Sequence, residues 1–382
     1  MNMRLFKKAF CLLTLLLLLT SQGNAQFGAW SFFQPVTAVN ETGVDQLDYP
    51  IRLELNTQTL ISQSKLESDG RDLRFGDGCA TLNLDYWIED FLNTDSTVVW
   101  VRLDSIAAGD SLTFQMFYGN PNATATSSFA NTFPNAIVTS GNQTLLPGAL
   151  HRWIQVNAGD TLFLANDTLN DLEARVVNVQ GVISGKGRGF QVPTNSNNGT
   201  GPGGGNFGTS SGAGGGSYGG LGGVGGYDSN DPIIQPGAVY GTASGLDIAK
   251  GSSGGSASLA IGGSGGGGLR LLAEFMTVSG TIECDAGEAQ QPGAGQGGGG
   301  GSGGGIFLHG DEVNFSGSLS ANGSGGSIGT STANDDGGGG GGGRVKVFYE
   351  SQFSNTGTIT VQLRRNQWRS WSRGTGQYRL CF

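Results

Sequence analysis

The sequence predicts an all-β protein in two parts: an N-terminal antiparallel β-sandwich, then a glycine-rich β-helix or related solenoid. Three observations lead there. Residues 27–135 carry short runs of alternating apolar and polar side chains bounded by turn signals. Past residue 136, a phrase of two short strands around a Ser-Gly or Thr-Gly pair returns at near-constant spacing. Finally, 57 of the 71 glycines fall between Gly181 and Gly343 with no G-X-Y period, which excludes collagen. That stretch also holds too few Leu, Ile, Val and Phe for an ordinary compact core, so one uniform globular domain is excluded.

Residues 1–25 come first. Arg4, Lys7 and Lys8 form a basic region, Phe10 to Leu19 an apolar run broken only by Thr14, and Gly23-Asn24-Ala25 a small-residue cleavage site. This is the pattern of a secretory signal peptide, and the mature chain then starts at Gln26. The apolar run is short of the roughly 20 residues a spanning helix needs, and no later segment is long and apolar enough to cross a bilayer. Cys11 lies inside the run rather than after it, against a lipoprotein anchor. The expected location is secreted or on the outer surface of a bacterial cell. The net charge is −9, but basic ends mask the balance. Without the three bases before residue 26 and the five Arg after residue 363, 13 bases face 30 acids, or −17. Such a body repels nucleic acid and anionic lipid.

Residues 26–135 read as the sandwich. Ile51 to Leu55 alternates with period two, and Val98 to Leu103 and Leu112 to Tyr118 are further strands. Ala108-Gly109-Asp110 reads as a hairpin-like turn between the last two, while Asp69-Gly70 and Asp77-Gly78 punctuate the middle. About 110 residues suffice for one such core. Trp30, Trp87 and Trp100 sit among apolar neighbours and read as core, although an aromatic presented on a sheet face can stack on a sugar ring. Asp69, Asp72 and Arg74 are expected to close a turn and an ion pair. Glu89 and Asp90 are adjacent, so a strand sends them to opposite faces, which argues against a paired-carboxylate glycosidase site.

The same residues carry a resemblance. Trp30-Ser31-Phe32-Phe33-Gln34-Pro35-Val36 is followed by Asp48-Tyr49-Pro50 and by Asp69-Gly70-Arg71-Asp72-Leu73-Arg74-Phe75. Tyr86-Trp87-Ile88-Glu89, Trp100-Val101-Arg102-Leu103 and Tyr118-Gly119-Asn120-Pro121 complete the series. In order and spacing it resembles a family of exported prokaryotic domains of unknown function, with the pattern D-Y-P, D-G-x-D-I-R-F, Y-W-I-E, W-V-K/R-V and Y-Y-G-N-P. Leu73 and Phe117 depart mildly from the commoner Ile and Tyr. The resemblance covers about 110 residues. It implies a lectin-like β-sandwich in a surface or secreted protein, with carbohydrate binding as the expected role. It supplies no catalytic residues.

Residues 136–363 read as the solenoid. Ile137 to Thr139, Trp153 to Val156 and Thr161 to Leu164 are short strands, followed by Leu172 to Val179 and then Gly181-Val182-Ile183-Ser184. That phrase returns as Leu269 to Ala273 with Ser279-Gly280-Thr281-Ile282, and as Ile306 to Gly310 with Ser316-Gly317-Ser318-Leu319. A further partial return runs from Val345 to Tyr349 and on to Thr356-Gly357-Thr358-Ile359. The Ser-Gly pairs are 37 residues apart and the Thr-Gly pair lies 40 further on. Units that cannot bury their faces alone must stack. The glycine-rich loops at 190–267, 287–305 and 323–343 are too long for ordinary connections. Their composition favours flexible polar chain over an ordered bundle of polyproline-II strands.

Few motifs carry chemistry. The G-x-S-x-G matches at Gly208–Gly212 and Gly262–Gly266 lack a strand-to-helix context and a His partner. The G-x-G-x-x-G matches lack any βαβ unit. His151 and His309 are far apart in sequence, and Cys79, Cys284 and Cys381 follow no zinc spacing and are odd in number. Asp228-Ser229-Asn230-Asp231 and Asn334-Asp335-Asp336-Gly337 can offer oxygens to Ca²⁺ but follow no known loop spacing. No catalytic residue, metal ligand or cofactor is assigned, and the ligand-binding residues stay open. Residues 364–382 form a basic, Trp-bearing tail foreign to what precedes it. Read one base later, Trp368 and Trp371 both become Gly, so a frameshift is expected there, with more repeats and a sorting or anchoring module in the native frame. The expected function is non-enzymatic: a glycan- or partner-binding sandwich on a glycine-rich stalk, adhesin-like. The alternatives are a structural surface or matrix protein without ligand, and a polysaccharide-active enzyme with a site on the β-helix.

Overall fold

The computed structural model describes residues 29–76, 83–146, 151–192, 197–227, 231–290, 295–330 and 335–363, and the strand 377–380. The expected signal peptide, Asp77-Gly78, Cys79, Cys381, the acidic turn 228–230, Asn334 and most of the tail lie outside these residues. The described chain is nearly all β and divides into two compact units, Met1–Ala136 and Ile137–Phe382.

The first unit holds two three-stranded antiparallel sheets. One has β1 (Phe32–Val39), β6 (Ser111–Tyr118) and β3 (Arg74–Gly76) in the order β1-β6-β3. The other has β2 (Gln46–Leu55), β5 (Thr97–Ile106) and β4 (Tyr86–Asp90) in the order β2-β5-β4. Helices α1 (Thr57–Ser62) and α2 (Phe129–Thr132) are single turns, capped by the Asn56 and Ser128 side chains. Alternation puts Val36, Ala38, Phe114 and Met116 of one sheet in the same core as Ile51, Leu53, Val99, Val101 and Leu103 of the other. One expectation fails here. The turn at 108–110 is no hairpin, because β5 pairs with β2 and β4 while β6 pairs with β1 and β3. Asp110 N–H bonds Ala107 O to tighten the turn, and Asn40 N–H bonds Asp110 O, so the chain crosses between sheets. The reason is burial: both flanking strands have an apolar face, and changing sheets lets each face the common core.

The second unit is built from parallel ladders. Its long strands are β7 (Ile137–Val138), β9 (Trp153–Val156), β11 (Leu169–Val179), β13 (Gly268–Val278), β15 (Gly305–Phe315), β17 (Arg344–Asn355) and β19 (Gln377–Leu380), side by side in that order. Its short strands β8 (Gln143–Thr144), β10 (Thr161–Phe163), β12 (Val182–Ser184), β14 (Thr281–Glu283), β16 (Ser318–Ser320) and β18 (Thr358–Thr360) form a second parallel sheet. Each coil from β7–β8 to β17–β18 contributes one strand to each sheet, and β19 extends the first, a β-helix-like arrangement. Equivalent residues stack: Ile183, Ile282 and Leu319 lie in register, as do Val177, Met276 and Val313, all fully or almost fully buried. The repeated Ser-Gly pair is the corner between the two strands. A Cβ on Gly280 would collide with Gly181 O, and one on Gly317 with Gly280 O, so stacked corners admit only Gly.

The described parts of the glycine-rich segments are ordered, which overturns the flexible-chain expectation for them. Consecutive N–H groups bond three different neighbours, and the pattern repeats every third residue. Gly212 and Gly215 donate to Gly226 and Gly223, Ala213 and Gly216 to Gly297 and Gly300, and Gly214 and Ser217 to Asn206 and Gly203. A repeat of three with donors fanning outward is the geometry of a polyproline-II helix, which makes no internal hydrogen bonds. The segments at 213–216, 297–303 and 335–341 also close a parallel triangle. Gly297, Gly300 and Gly303 donate to Asp335, Gly338 and Gly341, and Gly338 and Gly341 donate back to Ala213 and Gly216. Composition argued for disorder because it counted apolar side chains, whereas this bundle is filled by backbone. Each bond contributes ~1 kcal/mol net, which offsets an extra ordering cost of about 0.5–1 kcal/mol per Gly. Buried serines serve the same network: Gly301 N–H bonds Ser324 Oγ at 2.9 Å and Gly298 N–H bonds Ser327 Oγ at 2.8 Å.

Candidate functional site

The charged motif of the first unit builds framework. Asp72 is fully buried, its Oδ1 accepting from Glu67 N–H at 2.9 Å and its Oδ2 from Gly119 N–H at 2.8 Å and Asn120 N–H at 3.3 Å. It ties the loop before β3 to the Tyr-Gly-Asn-Pro segment after β6. Arg74 donates to the carbonyls of Arg71, Leu73 and Thr124, and its guanidinium lies 5.3 Å from the Trp30 ring centre. The Tyr86 hydroxyl donates to Leu73 O at 2.7 Å, and burial pushes its pKa up. The expected ion pair exists, but Arg71 makes it, with Asp69 at 3.2 Å and Glu67 at 2.7 Å. Asp72 and Arg74 spend their charge on backbone groups, because a buried loop crossing needs its amides and carbonyls satisfied.

Two of the three tryptophans are spent in the same way. Trp100 is 1% exposed, and its Nε1–H donates to Glu89 Oε2 at 2.7 Å. Trp87 packs edge-on to Phe129 at 5.0 Å between ring centres, and Phe133 packs on both Trp87 and Trp100. Neither ring offers a free sugar platform, and Glu89 is engaged as an acceptor.

Phe33 is left presented, while its cross-strand neighbour Phe117 is buried. On β1 and β6, Phe33, Pro35 and Thr37 stand opposite Phe117, Gln115 and Thr113, on the side away from the core. Phe33 is 54% exposed and tilts against Phe117 with centres 6.3 Å apart. On the opposite face of β1, Phe32 stacks on Tyr118 at 5.6 Å and Lys65 lies 5.5 Å from its ring centre. The Thr37 and Thr113 hydroxyls meet at 2.9 Å. Gln115 Oε1 is buried with no hydrogen-bond partner among the described residues. The named residues of this face are rings, an amide and hydroxyls, with no carboxylate among them. Sequence reasoning passed over Phe32 and Phe33, attending to the rarer Trp. Their signal was two successive Phe on a strand, which must point to opposite faces.

The second unit carries a charged row on its long-strand sheet. Arg175 pairs with Glu274 at 2.7 Å, and His309 Nε2 lies 3.6 Å from Glu350 Oε1. Desolvation, then Arg270, holds the His309 pKa below its ordinary value. Phe307 and Phe348 pack beside it with ring centres 5.1 Å apart. This row was missed because its members come from four coils, β11, β13, β15 and β17. Among the described residues, no three His, Cys, Asp or Glu gather to hold a metal. Asp336 Oδ1 accepts from Gly329 N–H at 2.9 Å, which closes a turn. Cys284 is fully buried, and burial pushes its thiol pKa far up. A thiolate-directed alkylating reagent is expected to leave Cys284 unlabelled in the native chain and to label it only after unfolding. Peptide mapping checks this, and native labelling would contradict the burial.

Residues 69–136 match a family described as a domain of unknown function (DUF2341). The matched span opens on Asp69 and takes in the Asp72–Arg74, Tyr86–Glu89, Trp100 and Tyr118–Pro121 segments. No curated protein and no solved structure matches the chain.

Proposed function

We propose that this chain is an exported, non-enzymatic surface or secreted protein, in which an N-terminal β-sandwich binds glycans and a glycine-braced β-helix serves as a stiff stalk. The observation that carries the reading is the division of labour in the first unit. Asp72, Arg74, Trp100 and Glu89 are consumed by internal bonds, while Phe33, Thr37 and Thr113 are exposed without a carboxylate pair. Exposed aromatic and hydroxyl groups suit binding, and a paired-acid hydrolysis needs two free carboxyls in one cleft. The leader-like residues 1–25 support export. The purely structural reading is favoured by one observation, the closed glycine bundle, which makes a rigid body without any ligand.

Glycan-array binding by the mature chain tests the proposal. Binding to a neutral glycan is expected, weakened about tenfold by Phe33→Ser, with the unfolding midpoint unchanged because Phe33 is exposed. Failure to bind any glycan would leave the structural reading. Cleavage of a polysaccharide by the chain would overturn both.

A further inference from the structure

Stacked coils bring equivalent residues into columns, and one polar column of the second unit is spent on the stack itself. Asp285 Oδ1 accepts from Asn322 N–H at 2.6 Å, and Asn322 Oδ1 accepts from Gln362 N–H at 2.9 Å. Another polar column is left unspent. Asn178, Thr277, Asn314 and Ser354 stand in register on β11, β13, β15 and β17. Their neighbours Val177, Met276 and Val313 belong to the core, so alternation turns these four outward. Among the described residues, their side chains bond no protein group, and Asn178 Oδ1 is a buried acceptor without a partner. An amide that no protein bond holds is able to turn toward a ligand's hydroxyl.

An apolar column runs beside this one. Two residues earlier, roughly 6.6 Å back along each strand, Val176 and Phe275 stand in register and are half-buried. Successive coils are about 4.8 Å apart, so an apolar stripe and a row of amides and hydroxyls cross the coils side by side. A sugar chain needs this pairing, with its C–H faces on the apolar stripe and its hydroxyls on the polar row. A peptide strand instead adds to a sheet edge through its backbone, whereas β11, β13 and β15 each have a neighbour on both sides.

Charge narrows the sugar class. The bases of β11, β13 and β15 are Arg175 and Arg270, already paired with Glu274 and Asp171. Glu312 continues the apolar column past Phe275. An anionic sugar chain would meet a carboxylate there and no uncommitted base. We infer that this strip of the long-strand sheet is a glycan site of its own, and that it takes an extended neutral oligosaccharide lying across the coils. It goes beyond the sandwich reading and does not depend on Phe33.

The test uses the full chain carrying Phe33→Ser, which removes any contribution of the sandwich face. The probes are neutral hexasaccharides of β-linked glucose, N-acetylglucosamine and mannose, with the matching disaccharides and a galacturonate hexamer as comparisons. At least one neutral hexasaccharide is expected to bind, and more tightly than its disaccharide because it spans several coils. Binding is expected to weaken about tenfold when Asn178→Ala and Asn314→Ala are added together. Thr358→Ala, at an exposed position of the short-strand sheet, is expected to leave it unchanged. The unfolding midpoint of Asn178→Ala is expected not to fall, since that side chain leaves no protein partner stranded. The inference is overturned if no neutral hexasaccharide binds, if the disaccharide or the galacturonate hexamer binds equally well, or if the double variant binds as its parent does. A lower midpoint for Asn178→Ala would make that residue structural and also overturn it. A chain that binds glycans only with Phe33 intact keeps the sandwich reading and loses this one. A chain indifferent to Phe33→Ser but weakened by the double variant does the reverse.

Discussion

Replacing Gly340 by Ala is expected to destabilise the second unit by more than about 3 kcal/mol. The added Cβ would run into Gly301 O, a backbone atom held on both sides by other segments. The collision cannot be relieved locally. Gly337 and Gly343 face Gly298 O and Gly304 O in the same way, so moving one turn of the helix shifts its two neighbours. Denaturant unfolding followed by peptide circular dichroism measures the cost. The comparison is Gly109→Ala in the first unit, where φ is +72° and nothing lies within 4 Å of the new Cβ. There only the left-handed backbone is penalised, by about 1 kcal/mol. If Gly340→Ala costs no more than Gly109→Ala, the close-packed glycine bundle is wrong.

Asp72→Ala is expected to cost roughly 3 kcal/mol or more in the first unit, because it removes a fully buried carboxylate that holds the half-buried amides of Glu67 and Gly119 and the buried amide of Asn120 together. Asp72→Asn keeps one acceptor oxygen and is expected to cost less. Trp30, Trp87 and Trp100 lie in this unit, so tryptophan fluorescence during urea unfolding reads the change. A loss within about 0.5 kcal/mol for Asp72→Ala, the range of ordinary surface substitutions, would mean that the loop crossing does not depend on this carboxylate.

Much of the β architecture was legible in the sequence. Period-two runs located β2, β5 and β6, since a strand buried on one side must alternate. The 37-residue return of Ser-Gly located the stacked corners, since parallel coils repeat the same steric demand. Asp72 and Arg74 were legible as structural, but their partners were not: backbone carbonyls and amides about 50 residues away leave no mark on the local sequence. The turn at Gly109 looked like a hairpin because turn chemistry reports that the chain bends, not which sheet receives it.

The glycine-rich region marks the boundary most sharply. Its sequence by itself determined that no apolar core could form there, and that each long insertion leaves and re-enters the ladder at a fixed corner. Only the tertiary structure decided that the described parts of the insertions are ordered. The third-residue rhythm of hydrogen bonds runs between segments as distant as Ala213 and Gly297, and Gly223 and Gly339. Such a rhythm exists only when all the segments lie side by side. A single polyglycine strand has no side chains with which to announce its neighbours, and its donors and acceptors are the same at every residue, so the order belongs to the assembled bundle rather than to any stretch of the chain.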